Sequence, residues 1–401
     1  MKAPCLSCGG KVSVLVDFGP QTPSNRFELP ESPVRDRHPL VVGQCADCGL
    51  IQLIDPMAPA MAKSRFEWLT YNEPEGHLDD LVSRLRQLPG LDSNSRIVGL
   101  TYKDDTTLAR FNRLGYGNTY RYQPAADFGL HDPCASLESI QAALDAPTAT
   151  RLAASHGLAD VLLVRHVLEH AHDPAAFLRA AATLVKPGGY LLFEMPDSEK
   201  FIKACDYSFI WEEHITYFCA PTLAALIGNA GLSLQDTIVY PYPLEDSLIG
   251  IVRNQPGAAP RQQGRESLLA DGTTFARRYP ELRARLQALF GDWQRAGKKA
   301  AIFGAGHLAA KFVNMYGLEK LVDCVIDDNS HKRTLLMPGS RLAIRGSAEL
   351  DTREIDLCLL SLSPESEQKV RAKNQAFLDR GGRFLSIFAL SPVSVYAADV
   401  R

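Results

Sequence analysis

The sequence predicts an α/β protein in which a small N-terminal zinc module precedes two wound-sheet domains. Three observations predict it. Two Cys-x-x-Cys pairs stand within the first fifty residues. From about Phe66, short apolar runs alternate with amphipathic stretches, the texture of strands and helices wound into one sheet. After a breaker-rich stretch at 255–264, a second strand, glycine turn and helix begin at Lys299. The segments are a zinc module (1–62), a first sheet domain (63–254), a linker and helix (255–298) and a second sheet domain (299–401).

Length and composition bound the rest. A chain of 401 residues is too long for one ordinary domain. With 46% hydrophobic residues, 22% charged residues and a net charge of -3, there is no basic excess for gripping nucleic acid, and a small-molecule partner is expected. No apolar run approaches the roughly 20 residues that cross a bilayer, and no signal-like stretch precedes Cys5, so the expected location is the cytoplasm. Nine cysteines are an odd number, and Cys134, Cys205, Cys219, Cys324 and Cys358 are scattered, which fits a reducing compartment with metal rather than disulfides. The oligomeric state is left open.

The N-terminal pairs, Cys5 with Cys8 and Cys45 with Cys48, are each followed by glycine, which lets a tight turn aim amides at sulfur. Four thiolates at this spacing match tetrahedral Zn2+. They leave no position for water or substrate, so the zinc is structural. The alternative for either pair alone is a redox site.

In the middle domain, Ile97–Leu100 reads as a first strand and Asp160–Val164 as a central buried one. Pro174–Leu184 reads as a helix, and Pro187–Glu194 as a turn feeding the next strand. The order, with Arg165-His-Val-Leu-Glu-His170, Lys186-Pro-Gly-Gly189, Glu194-Met-Pro196 and Trp211-Glu-Glu-His214-Ile-Thr-Tyr217-Phe218, resembles the class I methyltransferase domain of three-domain sugar C-methyltransferases. That family methylates the carbon beside the keto group of a nucleotide-linked deoxysugar, and the resemblance covers nearly the whole chain.

The resemblance implies Glu213 and His214 at the catalytic centre. A carbon acid beside a ketone needs a base whose pKa lies near working pH, and a neighbouring carboxylate tunes an imidazole for it. His214 is then the base, and Glu213 or Tyr217 assists the enolate. The alternative is a buried polar pair supporting the sheet. His166 and His170 stand at the end of the central strand, as catalytic or as structural groups. Tyr71 and His77 fall where the family has a segment closing over the site.

The family's methyl donor is S-adenosylmethionine, held by a loop with an acid and two glycines. Aligned at the strand end, that acid is Gly99 here, the glycines are Thr101 and Asp105, and Asp104 is retained. The acid that grips the ribose is replaced by Gln123, which makes one contact but not a charged bidentate one. A glycine pair before the sugar-side Ser247 is also missing. Two further readings therefore stand beside methyl transfer: a donor-free isomerase, epimerase or lyase, and a non-catalytic ligand-binding protein.

In the last domain, Gly304, Ala305, Gly306 and His307 form a glycine turn between strand and helix, with acidic Asp327 at the end of the next strand. Alone this reads as a phosphate cradle for a dinucleotide. With Lys332 and Pro338-Gly-Ser340 it resembles the family's C-terminal Rossmann-like domain, which implies a role in holding the nucleotide-linked substrate. The alternative is a turn that only packs helix on strand.

Overall fold

A computed structural model describes residues 4–33, 36–69, 73–257 and 264–397. The chain forms two compact units. One comprises the stretch up to Val14, Gly43–Glu199 and Glu213–Leu269, and the other comprises Leu15–Val42, Lys200–Glu212 and the chain from Ala270 onward. The units are therefore not contiguous segments of sequence. Strands β1 (Val12–Gln21) and β2 (His38–Cys45) each begin in one unit and end in the other.

In the first unit, β3 (Ile51–Leu53) precedes the strands of the main sheet: β4 (Ile97–Gly99), β5 (Thr119–Arg121), β6 (Ala159–Arg165) and β7 (Val185–Asp197). A short β8 (Thr216–Tyr217) returns to pair with β3, and β9 (Leu232–Tyr240) and β10 (Asp246–Pro256) complete the sheet. The order is β5-β4-β6-β7-β10-β9. The first four strands are parallel, while β10 runs antiparallel to β7 and β9.

Side-chain alternation divides these strands between two faces. Leu162, Val164, Leu191, Phe193, Leu248 and Val252 pack with apolar residues of helices Pro174–Thr183 and Ala220–Asn229. Val161, Leu163, Leu192, Ile249 and Ile251 pack with those of helices Leu78–Leu85 and Asp105–Arg113. The expected turn before β7 is instead absorbed into the strand, whose register against β6 shifts between Ala159 and Val161. Gly188 takes φ +79°, and a Cβ on Gly189 would lie 2.9 Å from the Asp160 carbonyl, so both glycines are required there.

The second unit holds a parallel sheet of β11 (Ala300–Phe303), β12 (Cys324–Ile326), β13 (Ile344–Arg345), β14 (Leu357–Leu360) and β15 (Arg383–Ser386), in the order β13-β12-β11-β14-β15. Cys324 and Cys358 lie in its core, where they act as small apolar groups. The long helix Arg265–Arg295 buries Phe275, Tyr279, Leu282, Leu286, Phe290 and Trp293 at helical spacing. Among the described residues, no helix is long and apolar enough to cross a membrane.

Candidate active site

The four N-terminal cysteines meet. Sγ of Cys5 lies 3.4 Å from that of Cys48, and Sγ of Cys8 lies 3.6 Å from that of Cys45. All four sulfurs fall within 4.8 Å of one another. A zinc tetrahedron with bonds of about 2.3 Å has edges of about 3.8 Å, so the sulfurs fit Zn2+ with a small expansion. The two knuckles repeat one geometry. Gly9 and Gly49 both sit at φ +72° and donate their N–H to the Cys5 and Cys45 carbonyls at 2.9 Å, while Ser7 N and Asp47 N each donate to the first sulfur at 3.4 Å.

At the carboxyl edge of the six-stranded sheet, buried Glu194 of β7 is the hub. Its Oε2 accepts from Arg165 Nε at 2.5 Å, and its Oε1 accepts from Ser247 Oγ at 3.0 Å. The same Oε1 lies 3.1 Å from His77 Nε2 and 3.4 Å from His166 Nε2. His77 is oriented from its other side by Tyr242, whose hydroxyl is 2.8 Å from Nδ1. Burial alone would raise the Glu194 pKa, but these cationic and donor neighbours hold it well below the usual carboxylate range. Thus His77, His166 and Ser247, far apart in sequence, share one carboxylate.

His166 follows β6 at φ +54°, a left-handed conformation that side chains avoid without support. Its amide donates to the Glu194 carbonyl at 2.7 Å. Burial opposes charge on its ring, yet Glu73, Glu169 and Glu194 outweigh burial and push its pKa up to about 10.

Beside it, the tight turn Leu168–His170 presents His170, whose Nδ1 lies 3.1 Å from Glu138 Oε1. Burial lowers the affinity of this ring for a proton, but Glu138 reverses the balance and raises its pKa. The Ile215 amide donates to the Glu169 carbonyl at 2.7 Å, which brings His214 against the turn. The rings of His170 and His214 meet edge to face, with centroids 4.9 Å apart and planes at 88°. His214 is half-buried, whereas Glu213 and Tyr217 are buried. Tyr217 lies in β8, its ring centroid 6.4 Å from that of His214. Tyr71 lies outside the described residues.

Sequence reasoning missed Glu138 as a member of this constellation, and it read Arg165, Glu169 and Glu194 only as parts of motifs. A glutamate closing the buried apolar run Tyr190–Phe193 was the available signal, because a buried carboxylate requires partners. Glu138, on the helix Leu137–Ala143, carried no comparable signal.

The loop after β4 is filled from within. Asp104 Oδ2 accepts from Leu100 N at 2.8 Å and Thr101 N at 2.9 Å, and Oδ1 accepts from Arg165 N at 3.2 Å. Burial pushes the Asp104 pKa up to about 7, against the pull of these amides and of Arg165. Gly99 is needed because a Cβ there would sit 2.7 Å from Asp104 Cβ. The Arg165 guanidinium donates to the Lys103 carbonyl and to Glu75 at 3.3 Å, while Lys103 Nζ pairs with Glu73 at 2.5 Å. Gln123 turns back onto its own strand, where Nε2 donates to the Arg121 carbonyl at 3.0 Å. The retained Asp104 fits the family's loop. Thr101, whose amide is taken by Asp104, and Asp105 do not supply the open amides that the resemblance expects for S-adenosylmethionine, and the exposed Gln123 spends its amide nitrogen on the Arg121 carbonyl.

In the second unit, Gly304 takes φ +104°, and a Cβ there would lie 2.7 Å from Ser361 Oγ, so the turn demands glycine. Asp327 was expected to face a ribose, but it turns onto the loop. Its Oδ2 accepts from Ala305 N at 2.9 Å and from Lys332 Nζ at 3.0 Å. Lys332 also donates to the Ala305 carbonyl at 2.7 Å. Gly306 caps the helix His307–Tyr316. His307 packs against Trp211, with ring centroids 4.0 Å apart. Burial lowers its pKa to about 3, with Lys311 and Lys332 adding to the effect, so the ring is neutral.

Comparisons with known proteins follow this division of parts. Residues 5–61 match a zinc binding domain, 75–237 a methyltransferase domain, and 267–389 the C-methyltransferase C-terminal domain. The C-methyltransferase NovU of Streptomyces niveus is 24% identical over 363 residues, covering 86% of this chain and 85% of its own. A ubiquinone biosynthesis O-methyltransferase of Stutzerimonas stutzeri is 35% identical over 95 residues, 21% of this chain and 40% of its own. Among solved structures, a Burkholderia thailandensis 1,6-didemethyltoxoflavin-N1-methyltransferase aligns at 15% identity with a TM-score of 0.30, over 45% of this chain and 78% of its own. Matches to a zinc binding domain, a methyltransferase domain and the C-methyltransferase C-terminal domain thus succeed one another along a single chain, which is similar over 86% of its length to a C-methyltransferase.

Proposed function

We propose that the protein removes a proton from the carbon beside the ketone of a nucleotide-linked sugar, with His214 as the base. The observation that carries this reading is the half-buried His214 ring standing edge-on to His170, which Glu138 holds from behind. As His214 takes the proton, the C–H electrons form a carbon–carbon double bond and the carbonyl electrons move to oxygen. The enolate oxygen then needs a donor, and His170, whose hold on a proton Glu138 strengthens, stands edge to face with His214. In the family, S-adenosylmethionine supplies the methyl group that the enolate carbon receives.

A second reading is favoured by the filled loop around Asp104, Lys103 and Arg165: the enolate carbon recovers a proton instead, as in an isomerase or epimerase.

The test is deuterium wash-in. Nucleoside-diphosphate keto-deoxysugars are incubated in D2O with the zinc-loaded protein, and exchange at the carbon beside the ketone is followed by NMR. We expect exchange, and about a 10²–10⁴-fold loss of it in His214→Asn. Exchange that survives His214→Asn unchanged, or none with any substrate, overturns the assignment. Adding S-adenosylmethionine, with its binding followed by calorimetry, separates the two outcomes: a methylated product supports the family reaction, and exchange without donor binding supports the second reading.

A further inference from the structure

The histidine cluster holds a carboxylate that proton transfer leaves unused. Glu169 is 2% exposed, and neither of its carboxylate oxygens has a hydrogen-bond partner. Its nearest cationic neighbour, His166 Nδ1, is 3.6 Å from Oε1, beyond hydrogen-bonding reach. His166 offsets the charge from one side but shares a hydrogen bond with neither oxygen, so the lone pairs of this buried carboxylate are available to a bound cation. Ligand atoms of Glu169, His170 and His214 all lie within 4.8 Å of one another. His170 is already posed as a metal ligand: with Nδ1 directed at Glu138, its Nε2 is left to coordinate, the carboxylate–histidine arrangement that orients imidazoles at metal centres.

We propose that Glu169, His170 and His214 form a second metal site, for a divalent transition-metal ion, distinct from the four cysteines. Two imidazoles and one carboxylate suit zinc, cobalt or nickel, and three protein ligands leave one position open. The sulfur site is closed by its four thiolates, so the two centres differ in exchangeability as well as in ligands. Building on the base role of His214, an ion here occupies the imidazole lone pair that proton abstraction needs. Metal binding and C–H exchange are therefore mutually exclusive.

The experiment uses the full-length protein with zinc in its cysteine site, titrated with Co2+ while the visible spectrum is recorded. One equivalent should bind with ligand-field bands and without the near-ultraviolet thiolate-to-cobalt band. Glu169→Gln and His170→Asn should abolish that binding, and Glu138→Gln should weaken it about 10–100-fold. Circular dichroism identifies any variant that fails to fold, and Glu169→Gln, which keeps the side chain's shape, then decides the matter. No cobalt bound beyond the cysteines, a thiolate band, or binding indifferent to Glu169→Gln overturns the site. Co2+ should also suppress deuterium wash-in, with activity restored by a chelator that leaves the cysteine-bound zinc in place. If no wash-in occurs at all, the base assignment falls while the cobalt spectrum still decides the metal site.

Discussion

The first strand of each wound sheet turns into its helix through a loop that a nucleotide-type fold would offer to a ligand, and in both loops an aspartate of the chain takes the amides first. After β4 the aspartate is Asp104, inside the loop and fully buried, with Leu100 N, Thr101 N and Arg165 N on its two oxygens. The Arg165 guanidinium is committed to Glu194, the Lys103 carbonyl and Glu75, so it is not free to leave. After β11 the aspartate is Asp327, half-buried just past the end of the neighbouring strand, and it holds Ala305 N together with the ammonium of Lys332. Under the proposed function, a phosphate at the second loop would take the place of Asp327 on one lysine and one amide. An arriving ligand at the first loop finds amides already spent in a closed network. The difference teaches that a glycine turn is read by who owns its amides, not by its glycines alone.

The largest effect should come from Arg165→Met. It leaves buried Glu194 without its guanidinium partner, and urea unfolding should register a loss of about 3–5 kcal/mol. A loss below about 1 kcal/mol would mean that the other neighbours of Glu194 compensate its charge and that the first loop is not locked through Arg165.

Asp104→Asn should cost less, about 1–3 kcal/mol, because an amide oxygen replaces a carboxylate that serves three N–H donors. It also has a pH signature. With a folded pKa raised to about 7, above an unfolded value of about 3.9, the folded state binds the proton more tightly. The contribution of Asp104 is fully present below about pH 4, declines as pH rises, and levels off above about pH 7. Stability measured across that window should fall with pH in the native protein relative to Asp104→Asn. A constant difference between the two would show that Asp104 is ionised throughout.

The smallest effect belongs to the second loop. Lys332→Met removes a partly exposed pair and should cost under about 1 kcal/mol, while weakening calorimetric binding of nucleoside diphosphates. A stability loss as large as that of Arg165→Met would erase the contrast between the loops.

The zinc module was the most legible part of the sequence because each knuckle is complete within five residues: two sulfurs, the amides that face them and the glycine at φ +72° are local. Strand β6 and the helix Pro174–Thr183 were legible for a related reason, since burial writes itself into an unbroken apolar run and a 3.6-residue stripe. The site was legible only in its histidines. That His77, His166 and Ser247 share Glu194 depends on strand pairing between β7 and β10 and on a helix start 117 positions before Glu194, which no local pattern encodes. The inward turn of Asp104 was hidden for the opposite reason. An aspartate three residues beyond a threonine cap reads equally as a ligand contact or as a capping box, and the structure uses it as the box.

The passages of the chain between its two units, after Val14, Val42, Glu199, Glu212 and Leu269, have a consequence during synthesis. A ribosome delivers Cys5 and Cys8 nearly forty residues before Cys45 and Cys48, and the first unit lacks part of its sheet until β10 has emerged. The second unit opens at Leu15 but obtains its central strand only at Ala300. Each unit must therefore hold early segments in reserve while the other is being made, with long-range closures of the kind that slow folding. No single cut in the gene yields either unit whole, so fragments ending near residue 254 should be recovered as aggregates or protease-sensitive chains rather than as a working methyltransferase domain.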